Sequence, residues 1–516
     1  MALFWLLSGA VHAKLNDITL CSDVFAFDGR AYFCAEHADL GKELFRTNGT
    51  NEDTFVVKDL DVGPGSSSPG GLFELNGVLY FIAETTPTGT ALWRTDGSDS
   101  GTRLVTSLGL DGDDLELDTL RIVNMLEVED ELFIQLADNV QFSAGNTVLM
   151  RTDGTASGTL ITDALVHFAS NNNLTPSVPT SYIYSNGALY FLTFNTLYKM
   201  DISSNSISMV TTLPSETNDG HHAVIVEDSL SQGYFLIENF SLLGNADFLF
   251  RSDGTASGTM KIDAEVRNAG YTNAGYLYCD LDDGNLYVRQ ADDISTTLVF
   301  DNFESDCDFS AIRKKISAGI LIQRRAQRTS SFSNQEGLEL WVSNGTNAST
   351  QELLNIADVD LSFESFFNGF LDTPNGYLFV VVDKPDQLWR TNGMASNTEF
   401  LLKLEEVNLI QSVTAGGFFT SNDTQLWFSN GTAGGTNFLR TLPGGSVNQF
   451  ATEGQRLYFT VNDKLWHSDA TSAGTYQLFY ITPDEPSEPT DPASSMIQTL
   501  MLLLEDCESE LSNECV

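Results

Sequence analysis

The stretch LWRTDGSDSGT at residues 92–102 returns along the chain in a recognisable form. Each clear copy runs from an apolar pair through Thr or Ser, then Asp or Asn, to a turn that is rich in Gly and Thr. Such copies occupy residues 44–50, 92–102, 149–159, 249–259, 340–350, 388–398, 426–436 and 465–475, and two degenerate copies start at Leu197 and Leu286. The nine intervals from Leu44 to Leu465 give a mean period of roughly 47 residues, within the range of propeller blades.

A hairpin pattern precedes each copy, as in LFELNGVLYFIAE at residues 72–84. Asn-Gly and Asp-Gly pairs favour tight hairpins because type I′ turns need positive φ at both central residues. In the second unit we predict strands over Leu72–Leu75, Val78–Ala83, Ala91–Thr95 and Thr102–Thr106. The sequence therefore predicts an all-β fold, a β-propeller of about ten four-stranded repeats, either as one large ring or as two smaller rings packed together.

The two ends of the repeat array are expected to meet. A strand near Leu15–Leu20 is predicted to pair beside the final blade and close the ring, which removes an edge that would invite aggregation. A Cys21–Cys34 bridge would fix that strand. The remaining cysteines are also near neighbours, so we favour Cys279–Cys307 and Cys507–Cys515 among the fifteen possible sets of pairs.

The regions outside the repeats have a different character. Residues 1–13 resemble a signal peptide whose start is truncated, because an apolar run precedes small residues at a cleavage-like site. The repeats fill residues 14–481, and a Pro-, Ser- and acid-rich linker follows at 482–495. Residues 496–516 are predicted to form a short amphipathic helix, too short to cross a membrane. We expect a secreted, cell-surface or periplasmic protein.

The charge of the chain narrows the possible partners. It carries 26 Lys and Arg against 70 Asp and Glu, a formal net charge of −44. Such a surface repels phosphate backbones and anionic lipid, which excludes nucleic-acid binding and membrane-surface binding as principal functions. An extracellular glycan or a protein is the expected partner.

The units resemble the ELWxxDGT repeats of bacterial secreted and surface proteins. The resemblance is closest at residues 43–50 and 339–346, and the segment from Lys58 to Pro69 resembles the one that follows the repeat in that family. It covers roughly residues 24–480 and implies a propeller-like fold and export, with no catalytic residue to carry over. The leading Glu is often missing here, and Asn replaces Asp in several copies.

Most conspicuous residues have a structural explanation. The Trp residues share one repeat position where Phe or Met also occurs, so we expect them to pack between blades: Trp93, Trp341, Trp389, Trp427 and Trp466. The Asp of each turn should accept hydrogen bonds from the backbone of its own turn.

His221 and His222 are expected to be exposed in a polar loop. One carboxylate per turn is too few for calcium. The run Asp280–Asn285 looks more like a calcium loop, although it departs from the EF-hand spacing and lacks the later Glu, and Asp111–Asp114 is a weaker candidate.

One basic cluster interrupts the acidic sequence: Arg313, Lys314, Lys315, Arg324, Arg325 and Arg328. It would either form salt bridges with a neighbouring blade or bind the anionic group of a sulfated or carboxylated glycan.

The functional expectation is a non-enzymatic binding or adhesion scaffold. Its contacts are predicted in the variable segments 107–125, 162–180 and 263–275. No catalytic, cofactor-binding or metal-binding residue is assigned, and no cofactor is expected apart from the possible calcium. The alternative is a secreted glycan hydrolase or lyase of the propeller type, since 70 acidic residues could place two carboxylates at a working distance.

Overall fold

The computed structural model describes sixteen segments of the chain. They are residues 14–110, 120–137, 147–162, 181–193, 195–213, 221–226, 230, 233–241, 247–280, 283–290, 296–301, 311–326, 337–356, 367–382, 385–445 and 447–482. The predicted signal peptide, the C-terminal helix and Cys507 with Cys515 lie outside them.

Almost all regular structure is β-strand, arranged as ten consecutive four-stranded antiparallel meanders. Blade 1 contains β2 (Phe25–Phe27), β3 (Arg30–His37), β4 (Gly41–Thr47) and β5 (Phe55–Lys58); blade 2 contains β6 (Gly70–Leu75), β7 (Val78–Thr85), β8 (Gly89–Thr95) and β9 (Arg103–Ser107); blade 3 contains β10 (Arg121–Val128), β11 (Glu131–Ala137), β12 (Thr147–Thr152) and β13 (Leu160–Thr162); blade 4 contains β14 (Tyr182–Ser185), β15 (Ala188–Thr193), β16 (Thr196–Asp201) and β17 (Ser206–Thr212).

The middle of the ring departs slightly from the regular pattern. Blade 5 contains β18 (His221–Ile225), β19 (Phe235–Ser241) and β20 (Asp247–Ser252), and its last strand, β21 (Met260–Thr272), continues as the first strand of blade 6. Blade 6 is completed by β22 (Gly275–Asp280), β23 (Leu286–Arg289) and β24 (Thr297–Phe300). The two blades therefore form one seven-stranded sheet.

The last four blades return to the regular pattern. Blade 7 contains β25 (Ala311–Ile316), β26 (Gly319–Ala326), β27 (Gly337–Ser343) and β28 (Gln351–Ile356); blade 8 contains β29 (Phe367–Thr373), β30 (Gly376–Val381), β31 (Asp386–Thr391) and β32 (Glu399–Leu404); blade 9 contains β33 (Val407–Val413), β34 (Gly416–Ser421), β35 (Gln425–Ser429) and β36 (Thr436–Thr441); blade 10 contains β37 (Val447–Glu453), β38 (Arg456–Val461), β39 (Lys464–Ser468) and β40 (Tyr476–Gln477). Outside the blades lie β1 (Lys14–Asp17) and β41 (Phe479–Thr482).

The apolar core is divided among the junctions between blades. Ten clusters of buried side chains each combine residues of two successive blades, and one of them joins blade 10 to blade 1. Named by one member from each side, they are Leu44 with Phe81, Ile82 with Ile134, Phe133 with Phe191, Leu197 with Phe235, Leu249 with Tyr278, Leu277 with Ile320, Leu340 with Phe379, Leu388 with Phe419, Phe418 with Phe459, and Phe33 with Leu465. The fold is a single ten-bladed β-propeller, so one large ring replaces the two alternatives left by the sequence.

The ends of the ring close as predicted. Strand β1 pairs antiparallel with β41, from Lys14 opposite Thr482 to Asp17 opposite Phe479. The chain then bridges both neighbouring blades, through Thr19 with Lys464 of blade 10 and Leu20 with Ala35 of blade 1. A disulfide joins Cys21 to Cys34 in β3 and fixes the strand there. Cys279 is also disulfide-bonded, and its predicted partner Cys307 lies outside the described residues.

Removing the Cys21–Cys34 bridge should weaken this closure. We expect the double variant Cys21→Ala, Cys34→Ala to lose about 2 kcal/mol of unfolding free energy, because the bridge restricts the unfolded chain over a short loop. Guanidinium titration of the variant and the wild type under non-reducing conditions measures the difference. The variant measured with reductant serves as the control for the Cys279 bridge. Equal midpoints for wild type and variant would mean that β-pairing alone holds the closure.

Candidate functional site on the turn face

The repeated turn joins the third strand of a blade to the fourth, and its polar groups bond to one another. In blade 2, the hydroxyls of Thr95 and Thr102 are 2.7 Å apart, and the Gly97 amide donates to the Thr95 hydroxyl. The Asp96 carboxylate accepts from the amide and the hydroxyl of Ser98 at 2.9 and 2.6 Å. The Asp is therefore a turn residue, as predicted.

The same pairing of Ser or Thr hydroxyls seven residues apart recurs around the ring. It joins Thr47–Thr54, Thr152–Thr159, Ser252–Thr259, Ser343–Thr350, Thr391–Thr398, Ser429–Thr436 and Ser468–Thr475. Hydrogen bonds from Ser98, Thr155 and Thr255 hold the pKa values of Asp96, Asp153 and Asp253 below their ordinary range. These carboxylates stay ionised and engaged in their own turns.

Each turn also docks on the preceding blade. Gly97 has a φ of +83°, and a Cβ there would lie 2.5 Å from the Tyr32 hydroxyl of blade 1. The five repeated Trp residues occupy the same junctions. Trp341 and Trp466 belong to the clusters shared with blades 6 and 9, and Trp93, Trp389 and Trp427 pack against the clusters shared with blades 1, 7 and 8. The repeated residues therefore pack each blade against the preceding one.

The turns between first and second strands and between third and fourth strands lie at the same end of every blade, which we call the turn face. A groove of about 550 Å³ opens on this face between blades 1 and 2. Its lining is Phe27, Asp28, Gly77, Val78, Arg94, Thr95, Asp96, Gly101 and Arg103. This volume is in the range of small-ligand sites. The groove combines two apolar side chains with two guanidinium groups and two carboxylates.

The two arginines of the groove form a cross-strand pair. Arg94 in β8 lies directly opposite Arg103 in β9, and both side chains are exposed. Opposite residues of an antiparallel pair project to the same side of the sheet. Only Arg103 has a hydrogen bond within the described residues, from its Nε to the Ser100 carbonyl. The two arginine side chains therefore start from the same face of the sheet, and both line the groove.

The basic cluster noted in the sequence is engaged within the protein where its side chains are described. Lys314 contacts Asp372 of the neighbouring blade at 2.6 Å and lies over the Tyr377 ring. Arg324 forms an ion pair with Glu339 and lies over Trp341. Both contacts agree with the salt-bridge alternative. The side chains of Arg313, Arg325 and Arg328 lie outside the described residues.

The predicted calcium loop is a hairpin turn. Asp283 accepts hydrogen bonds from the Asn285 amide and the Tyr287 hydroxyl, and the Gly284 amide donates to the Asp280 carbonyl. Residues 281 and 282, like Asp111–Asp114, lie outside the described residues. In the part of the chain that is described, no three His, Cys, Asp or Glu side chains come together as a metal site.

The prediction that His221 and His222 lie in a loop was wrong. His221 and His222 begin strand β18, where β19 pairs with them through Ser241 and Phe240, so they do not lie in a loop. Most of the segment 263–275 lies in β21, because this strand serves two blades at once. Of the other expected contact segments, residues 111–119 and 163–180 lie outside the description.

Sequence reasoning did not anticipate the burial of Glu43. Glu43 is fully buried in β4, where its carboxylate accepts from the Ser67 hydroxyl at 2.6 Å and from the Asp61 amide. These contacts bind the blade to the connection that leads into blade 2. Burial raises the pKa of Glu43 to about 7. The sequence contained a hint of this burial, because Glu43 precedes the Leu of its repeat. At that position other copies have Ala91, Gln387 or Lys464.

The chain matches no family model and no curated protein. It is similar at low identity to solved structures, including these two. A computationally designed protein, Ika8, is 13% identical over 60% of this chain and 89% of its own, with a TM-score of 0.32. A putative 6-phosphogluconolactonase from Bacteroides fragilis NCTC 9343 is 10% identical over 64% of this chain and 96% of its own, with a TM-score of 0.31. Neither similarity bears on activity.

Proposed function

We propose that this chain is an extracellular, non-enzymatic binding scaffold that uses the turn face of its ten-bladed ring to hold a glycan or protein partner. The groove between blades 1 and 2 carries the proposal. It is open, of ligand size, and lined by exposed charged side chains beside Phe27 and Val78. Sites with an apolar wall and a few convergent polar groups are typical of ligand binding.

The distribution of perturbed acids supports binding over hydrolysis. A propeller hydrolase would bring carboxylates with shifted pKa values together in one accessible cleft. Among the described residues, Glu43 has a raised carboxyl pKa, and its side chain is fully buried. The lowered values belong to turn residues spread over different blades: Asp96, Asp153, Asp201 and Asp253.

Two observations accord with an extracellular location. The Cys21–Cys34 disulfide is of a kind that persists in oxidising compartments. The resemblance to repeats of secreted and surface proteins points the same way. Within the described part of the chain, no helix has both the length and the apolar character needed to cross a membrane.

A binding and cleavage screen tests the proposal. The full chain would be applied to an array of neutral and acidic glycans, with calcium and again with chelator, and bound sugars would be analysed by mass after incubation. We expect retention of intact sugar in both conditions. Release of shortened sugar would overturn the non-enzymatic assignment. Loss of retention with chelator would instead identify a calcium-dependent site.

A further inference from the structure

The most unusual charge arrangement in the described part of the ring is the Arg94–Arg103 pair. Like charges directly opposite each other on one face of a sheet are destabilising. In a chain with 26 basic and 70 acidic residues, acidic partners for arginine are abundant. Both arginines line the groove between blades 1 and 2, where Asp96 lies within electrostatic reach of Arg103 and no ion pair is formed by Arg94 among the described residues.

The equivalent position in other blades shows how the repeat normally accommodates its arginine. In blade 8, Arg390 lies opposite Glu399, and the two form an ion pair at 2.9 Å. In blade 1, Arg46 lies opposite Phe55, with its guanidinium 4.4 Å from the ring centre. In blade 3, both oxygens of Glu131 contact Arg151 at 2.6 and 2.8 Å. Blade 2 places a second arginine where blade 8 has the acid.

We propose that the groove binds an anionic sugar unit whose carboxylate or sulfate bridges Arg94 and Arg103. An anion between the two guanidinium groups removes their repulsion and accepts the paired N–H donors that arginine offers. This inference rests on the proposed binding function and specifies its ligand class.

The rest of the groove fits a sugar. Phe27, a half-buried aromatic side chain in the groove lining, can contact the C–H face of a pyranose ring. Asp28, whose side chain is 79% exposed, can accept hydrogen bonds from hydroxyl groups. Asp96 and the net charge of −44 disfavour a dense polyanion. The favoured ligand is therefore a glycan with isolated acidic groups among neutral units, in preference to a highly charged chain or an acidic peptide.

Three variants of the full chain test the assignment. Arg94→Gln removes one side of the bridge, and Arg103→Glu installs the ion pair that blade 8 has. Arg390→Gln is the matched control, because it changes the same repeat position on a different blade. The probes are a uronic-acid oligosaccharide, a sulfated oligosaccharide, the uncharged oligosaccharide and a glutamate-rich peptide, all measured by calorimetry at one ionic strength.

We expect Arg94→Gln to weaken binding of an acidic oligosaccharide about 10- to 100-fold, because the variant loses a charge-assisted hydrogen bond to the anion. Arg103→Glu should abolish that binding while raising the melting temperature by about 1–2 °C, since a repulsive pair becomes an attractive one. Arg390→Gln should change affinity less than about twofold. The preferred acidic probe, carboxylated or sulfated, identifies the anion.

Failure of the anion site can be distinguished from failure of the proposed binding function. If the wild type binds glycans but Arg103→Glu binds the same ones equally well, the anion site is wrong and the binding function stands. Equal affinity for the uncharged oligosaccharide or for the peptide would also overturn the inference. If the wild type binds neither these probes nor any glycan on the array, the glycan-binding function fails together with it.

Discussion

Replacing Gly97 with alanine is expected to lower the free energy of unfolding by about 3 kcal/mol. The residue has a φ of +83°, which costs an alanine about 1–2 kcal/mol. The added Cβ would also lie 2.5 Å from the Tyr32 hydroxyl and 2.9 Å from an Arg46 nitrogen. Both groups belong to blade 1, so the substitution should loosen the junction between two blades. Denaturant unfolding monitored by tryptophan fluorescence measures the loss.

Gly187→Ala is the matched control for this prediction. Gly187 has a φ of +75°, but nothing lies within 4 Å of the position where its Cβ would be. Its loss should therefore be the conformational cost alone, about 1 kcal/mol. If both variants lose the same amount, the turn does not press against blade 1 and the docking of successive blades must depend on other contacts.

Replacing Glu43 with glutamine should stabilise the protein by about 3 kcal/mol at pH 8 and have little effect near pH 4.5. The folded pKa of about 7 lies above the ordinary value of 4.5, so the native state binds the proton more tightly than the unfolded chain. The stability that the wild type derives from this proton is complete below pH 4.5 and is lost as the pH rises through 7. Glutamine imitates the protonated acid at every pH.

The measurement compares both proteins at a series of pH values between 4.5 and 8, using the difference in unfolding free energy. Taking this difference removes the contribution of His467, which is the same in both proteins. Burial lowers the pKa of His467, so its contribution to stability has the opposite sign and is lost as the pH falls below 6.5. Glu84→Gln, an exposed substitution in β7, is the control. A constant difference between wild type and Glu43→Gln across this range would show that Glu43 is solvated in the folded protein.

The blade itself was predictable because its signals are local. The four strands of blade 2 were predicted to within two residues of their ends, since alternation and the Asn76-Gly77 turn fix them. The degenerate copies at Leu197 and Leu286 still form strands, because both residues are buried in clusters shared with the next blade. In these two copies the buried hydrophobic residue is retained, although the turn motif is lost.

What the sequence could not determine depends on contacts between distant residues. Whether the ten blades form one ring or two depends on the angle between neighbouring blades. That angle is determined by side-chain packing at all the junctions together. His221 and His222 were misassigned because their strand is determined by pairing with β19, not by their own polar surroundings. The Arg94–Arg103 pair required knowledge of the register. Comparing the residue nine positions after the repeat arginine would have revealed it.

The pairing of β1 with β41 has a consequence for how the protein is made. Lys14 and Thr482 lie at opposite ends of the described chain, so this pair of strands can form only after synthesis has passed residue 482. Until then, nine of the ten junctions can assemble, while blades 1 and 10 each present an uncovered side. Contacts of such long sequence separation form slowly. The nascent ring is therefore most exposed to misassembly in its final step, when a folding factor would have the most to protect.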